Sequence, residues 1–227
     1  MDYYFVSYGL TIIALIITLD AQAFVSSSYS KYSKVKNTRG ITGKDAARYL
    51  LDKHGLSNIQ VVETNGYLTD HYDPTNKVIK LSKNVYRDST NASVSVAAHE
   101  CGHAIQDKEN YMFLRIRSAL VPIVNFSSNA GYFAILLGCI FGSLNLIWIG
   151  IIAEIVILLF QIITLPVEIN ASKRALKELD HIHFFNSNEL AESKTMLTAA
   201  ALTYVASIVT TLIQVLRLIF MFGNRRD

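Results

Sequence analysis

Between Ser118 and Val167 the chain runs for fifty residues with one charged side chain, Glu154. A soluble domain is roughly a quarter charged, so this stretch has the composition of a membrane segment. A bilayer core takes about 20 apolar residues per helix, and the run is long enough for two crossings and a turn. Turn-forming residues interrupt it at Gly142-Ser143-Leu144-Asn145. The run therefore divides into one span over about 118–141 and another over about 146–165, a hairpin that returns the chain to its starting side.

Two more apolar stretches flank this hairpin, Tyr3 to Leu19 and Met196 to Phe222, the second interrupted by Arg217. The first follows Met1 and Asp2 and lacks the positive start of a secretory signal, so residues 1–20 read as an uncleaved transmembrane helix. Lys31, Lys34, Lys36 and Arg39 come soon after it. By the positive-inside rule the region that follows is cytoplasmic, although a fourth crossing would leave Arg225 and Arg226 outside. The formal net charge is +3 with the Lys and Arg dispersed, which argues against a nucleic acid partner. Cys139 lies inside an apolar run and Cys101 outside one, so no disulfide is expected between them.

From about residue 21 to 117 the chain carries fourteen Lys/Arg and nine Asp/Glu and reads as a small soluble domain. Thr42 and Asp45 resemble a capping box, Ala46, Ala47, Tyr49, Leu50 and Leu51 recur at helical spacing, and Gly55 stands where a helix stops. Ile59 to Thr64 reads as a strand. Tyr67 to Tyr72 and Lys77 to Leu81 read as a hairpin across Asp73-Pro74-Thr75-Asn76. A second helix is expected over 91–106, capped by Ser89 or Thr90, and it is too short to cross a bilayer.

That second helix holds His99-Glu100-Cys101-Gly102-His103. Four residues make just over one helical turn, so both imidazoles project from one face toward a point that suits Zn2+, with Glu100 one residue round. A catalytic zinc site takes a third protein ligand and leaves a position for water. His54, His71, His181, His183 and the carboxylates are candidates, and Glu168 stands out among them. The motif precedes the membrane hairpin and Glu168 follows it, so an even number of crossings brings Glu168 back to the face that bears His99 and His103.

Several stretches together carry a family resemblance: 69–74 (Thr-Asp-His-Tyr-Asp-Pro), the motif helix from Ala97 to Gln106, Leu120-Val121-Pro122, the segment from Thr164 to Ser172, and that from Ala199 to Ala206. They resemble the YugP-type neutral zinc metallopeptidases of bacterial membranes over most of the chain. The order of motif helix, membrane hairpin and glutamate is more distantly similar to HtpX-type membrane proteases and CAAX prenyl proteases. The resemblance implies that His99, His103 and Glu168 are zinc ligands and that Glu100 is the general base. One departure is visible: the distant relatives carry an aspartate four residues after the ligand glutamate, and this chain has Ser172. A serine can hydrogen-bond a ligand but brings no charge.

The expected protein is mainly α, a polytopic membrane protein with a small α+β zincin-like (gluzincin) domain. Its expected parts are a first transmembrane helix over 1–20, the protease domain over 21–117, a transmembrane hairpin over 118–166, a third-ligand helical segment over 167–195 and a fourth span over 196–222. The expected activity is zinc-dependent endopeptidase cleavage of membrane or membrane-associated polypeptides, at the lipid bilayer of the cell membrane and on its cytoplasmic face. Zinc-activated water attacks the peptide carbonyl while Glu100 takes the proton and passes it to the leaving amine. Arg174, His71, His181 and His183 are candidate oxyanion donors. The hairpin before the motif helix offers an edge on which an extended substrate could lie. The rival reading is a non-catalytic zinc-binding membrane scaffold. Glu154, Gln161 and Glu168 are spaced seven apart, which fits either a polar stripe leading into the bilayer or a protonated Glu154 hydrogen-bonded to a neighbouring span, for instance at Asn125, Ser127 or Ser128.

Overall fold

The computed structural model describes residues 2–223, with side chains from residue 7 on; Met1 and the tail holding Arg225 and Arg226 lie outside the described residues. Among the described residues, seven helices and three strands follow one another as α1 (Asp2–Tyr32), α2 (Gly43–Lys53), β1 (Gln60–Thr64), β2 (His71–Asp73), β3 (Val78–Ser82), α3 (Lys83–Arg87), α4 (Asn91–Lys108), α5 (Met112–Phe141), α6 (Leu144–His181) and α7 (Ser187–Phe222). Four of them, α1, α5, α6 and α7, are long and apolar enough to cross a membrane. The chain divides into two compact units.

The first unit comprises Met1–Gln22, Arg115–Leu165 and Leu202–Asp227. It contains the apolar lengths of the four long helices. Gly142, at φ +65°, ends α5 in the left-handed conformation that glycine adopts without penalty, and the Ser143 N–H donates back to Gly138 O at 2.9 Å. Small residues let α5 and α6 approach closely: a Cβ on Gly131 would lie 2.6 Å from that of Ala153, and one on Gly150 would lie 2.3 Å from Ile135 Cγ1. Polar contacts join α1 to α7, with Thr18 Oγ1 3.1 Å from Thr210 Oγ1 and Arg217 donating to Thr11 Oγ1 at 2.8 Å. Glu154 is half-buried on α6, and the buried Oε1 of Gln161 has no partner among the described residues.

The second unit comprises Ala23–Leu114 and Pro166–Ala201. Thr42 caps α2 by accepting from Asp45 N, and Thr90 caps α4 by accepting from Ser93 N. The core gathers Leu50, Leu51, Ile59, Ile79, Leu81, Val85, Val94 and Leu179. Gly43 is the point where α2 meets its neighbours, since a Cβ there would stand 2.1 Å from Val85 O and 2.9 Å from Ser93 O. The sheet has the order β1-β3-β2. β2 and β3 form the antiparallel hairpin, turned by Asp73, whose carboxylate accepts from Thr75 N and Asn76 N at 3.0 Å each. β1 runs parallel to β3 on its other side, which leaves β2 as an outer strand.

The helices run further than the apolar pattern alone indicates. α6 has 38 residues and α7 has 36, against the roughly 20 that a bilayer core takes. No break separates the apolar part of α6 from the polar stretch after Pro166, because that stretch is rich in Ala, Leu, Lys and Glu, all good helix formers. Pro166 lacks an N–H and removes one backbone hydrogen bond without ending the helix.

Candidate metal centre

Everything in this centre lies within the second unit. On α4 the rings of His99 and His103 meet edge to face, with centroids 4.8 Å apart. Glu168, on α6, brings one carboxylate oxygen 3.2 Å from His99 Nε2 and 3.5 Å from His103 Nε2. One donor atom from each of the three residues lies within 4.8 Å of the other two. Zinc with bonds of about 2.0–2.1 Å in a tetrahedron puts neighbouring donors about 3.3–3.4 Å apart. The two contacts to Glu168 are close to that length and all three donors lie within 4.8 Å of one another, so the donor set could hold a zinc ion.

Two helices must come unusually close for this to happen. Gly102 sits between the two histidines, and a Cβ there would stand 2.6 Å from Ala171 O and 3.1 Å from Ala171 C and Cα. Glycine removes that obstacle, and the α4 backbone rests directly on α6 three residues beyond Glu168.

Each imidazole is also held at its other nitrogen. His99 Nδ1 lies 3.1 Å from Ser172 Oγ, the serine found where the distant relatives have an aspartate. His103 Nδ1 lies 3.0 Å from Gln106 Oε1, and Gln106 Nε2 donates to Val167 O at 2.8 Å and Asn170 Oδ1 at 2.9 Å. Such partners fix ring orientation and leave Nε2 to face a metal.

Glu100 is buried, and the Tyr72 backbone N–H on the outer strand β2 is one of the groups near enough to favour its charged form. Burial pushes its pKa up to about 7; His99 pulls it down, while the negative charges of Glu168 and Asp70 push it further up. The Tyr72 hydroxyl donates to Asp107 Oδ2 at 2.7 Å, and Lys77 pairs with the same oxygen at 2.6 Å. The hairpin is thereby fastened to the last turn of α4.

The other candidates have other partners or are exposed. His54 pairs with Glu178 at 3.2 Å, His71 is exposed with its Nδ1 2.8 Å from Thr69 O, and His181 and His183 are exposed. Arg174 is committed to Asn170 Oδ1 and Glu109, at 2.7 Å each. Gln106, Asn170 and Tyr72 stand in the stretches that carry the family resemblance, but the sequence assigns them no role at the centre. For Gln106 a signal exists, because it stands three residues after His103 and seven after His99, on the same helical face.

A helical membrane protein with a His-His-Glu donor set is the class that this fold and site define. A family model described as "Putative neutral zinc metallopeptidase" matches residues 7–223, and the chain belongs to that family of zinc peptidases. It is also 45% identical over 218 residues to a protein of Bacillus subtilis (strain 168) named "Putative membrane protease YugP", covering 96% of this chain and 97% of that one. No solved structure matches the chain. Zinc is the cofactor of the family, and the donor set is one that could bind it.

Proposed function

We propose that the protein is a zinc-dependent endopeptidase of the cell membrane, with four spans and a cytoplasmic site, that cleaves membrane or membrane-associated polypeptides. One observation carries the reading: donors from His99, His103 and Glu168, the first and last 69 residues apart in sequence, converge within 4.8 Å beside a buried glutamate. His99, His103 and Glu168 would hold the ion. Bound there, zinc supplies the chemistry that makes water a nucleophile near neutral pH and polarises a peptide carbonyl.

The chain's own residues do the rest. Glu100, with a pKa near neutrality, takes a proton from the attacking water and delivers it to the leaving amine. The Tyr72 backbone N–H lies near enough to its carboxylate to favour the charged form, so the base and the outer strand β2 are adjacent. An extended polypeptide lying along that strand would pass the base. In this reading residues 21–117 form the protease domain, 118–166 a membrane hairpin, 167–195 the third-ligand segment and 196–222 the last span. The cytoplasmic orientation follows from Lys31, Lys34, Lys36 and Arg39 after the first span. The similarity to HtpX-type and CAAX prenyl proteases rests on the order of these elements.

The test compares wild type with Glu100→Gln, both purified in detergent, for zinc content and cleavage of membrane-protein substrates. The expected result is equal zinc and cleavage by wild type alone. Equal cleavage by both would refute Glu100 as the base. Zinc uptake with no turnover by wild type would leave the scaffold reading.

A further inference from the structure

The side chain of Gln106 is fully buried, and both ends of its amide are bonded. The polarity of these bonds is fixed by chemistry. Val167 O can only accept, so the Gln106 nitrogen faces it at 2.8 Å. Arg174 Nε can only donate, so Asn170 turns its oxygen toward it at 2.7 Å, and the same oxygen accepts the second Gln106 hydrogen at 2.9 Å. Arg174 is anchored in turn on Glu109 at 2.7 Å. Gln106 Oε1 is then left facing His103 Nδ1 at 3.0 Å and can only accept. Gln106 thus draws the hydrogen of a neutral His103 to Nδ1, 3.0 Å away, against the more distant Glu168 oxygen 3.5 Å from Nε2, and leaves the lone pair on Nε2. His99 has no such constraint, because the Ser172 hydroxyl can donate or accept.

The same amide reaches two ligands at once. Its nitrogen holds the carbonyl of Val167, the residue before Glu168, while its oxygen holds the ring of His103. We propose that Gln106 is the positioning residue of this centre, locking His103 in the Nδ1–H tautomer and setting the α6 backbone that carries Glu168 with one side chain. An uncharged amide is required, because a carboxylate at this position could accept from His103 but would oppose the Val167 carbonyl. The inference rests on the His99, His103 and Glu168 reading.

The test uses the full-length protein in detergent with 15N-labelled histidine, zinc-stripped for the tautomer measurement and titrated with zinc against a chelator for affinity. Wild type is expected to show His103, assigned by loss of its signals in His103→Gln, as the Nδ1–H tautomer. In Gln106→Met the Nε2–H form should become populated and zinc affinity should fall about 10- to 100-fold. Gln106→Glu, which keeps the shape, should retain the tautomer and still lose about 10-fold in affinity, as replacements of groups that hold a metal-binding histidine do. A buried residue that only filled space would not move the tautomer. If Gln106→Met keeps the Nδ1–H form, or if either variant binds zinc as tightly as a zinc-binding wild type, the positioning role is overturned. A wild type that shows the lock but takes up no zinc overturns the metal-centre reading itself, and with it the role proposed for Gln106.

Discussion

Replacing Gly102 by alanine tests whether the contact of α4 with α6 sets the geometry of the centre. The added Cβ would stand 2.6 Å from Ala171 O and 3.1 Å from Ala171 C and Cα. All three are backbone atoms, so no side-chain rotation relieves the clash. Restoring an ordinary 3.4 Å contact requires the helices to part by about 0.8 Å. The donor separations of 3.2 and 3.5 Å would then approach about 4 Å, longer than the roughly 3.3–3.4 Å edge of a zinc tetrahedron. Metal–ligand bonds tolerate departures of only about 0.2 Å, so side chains would have to strain to close the gap. Overpacking of this kind costs about 1–3 kcal/mol, against at most about 1 kcal/mol gained from alanine's helix propensity. The expected outcome for Gly102→Ala is therefore a lower unfolding midpoint and zinc affinity reduced by at least about tenfold, the effect of an RT ln 10 loss near 1.4 kcal/mol. Chelator competition on the purified protein measures it. Unchanged zinc affinity would refute the view that this contact sets the site.

Other outcomes follow from the same geometry. The folded pKa of Glu100, about 7, lies above its ordinary value of 4.5, so its contribution to stability is present below the ordinary value and lost as pH rises through 7. Zinc-stripped Glu100→Gln should thus exceed wild type by about 3 kcal/mol at pH 8 and by little at pH 4; unfolding at the two pH values checks this, and an equal difference at both would contradict it. Glu168→Ala should abolish zinc retention in equilibrium dialysis while leaving helix content unchanged by circular dichroism. Gly43→Ala should lower the unfolding midpoint sharply, because the new Cβ would meet Val85 O at 2.1 Å. Thr42→Ala removes the cap of α2 and should cost about 1 kcal/mol in denaturant unfolding.

How far each feature could be read from sequence depended on the range of the interaction behind it. The caps at Thr42 and Thr90, the turn at Asp73 and the break at Gly142 are local chemistry, visible within a few residues. The facing of His99 and His103 is likewise a matter of one helical turn. The parallel pairing of β1 with β3 was not legible, since it is set by where the hairpin docks, and α3 is only five residues long. The lengths of α6 and α7 escaped a reading based on hydropathy, because helix formation continues through polar residues wherever nothing breaks it. The approach of Glu168 to α4 was suggested by counting crossings, yet its physical basis, a missing side chain at Gly102 against Ala171, is a contact between residues far apart in sequence. The role of Gln106 depends on its partners Val167 and Asn170, 61 and 64 residues further along the chain on α6.

The 69 residues separating His99 from Glu168 also have a consequence in time. At the usual pace of translation, about 5–20 residues per second, a ribosome needs roughly 3–14 seconds to go from one to the other. During that interval the nascent polypeptide has both histidines and no third donor, and the stretch being made is the most water-averse part of the molecule. A chain stalled or clipped before Glu168 would lack one of the three converging donors, so on the proposed reading the centre is completed only after the lipid-loving hairpin has been made.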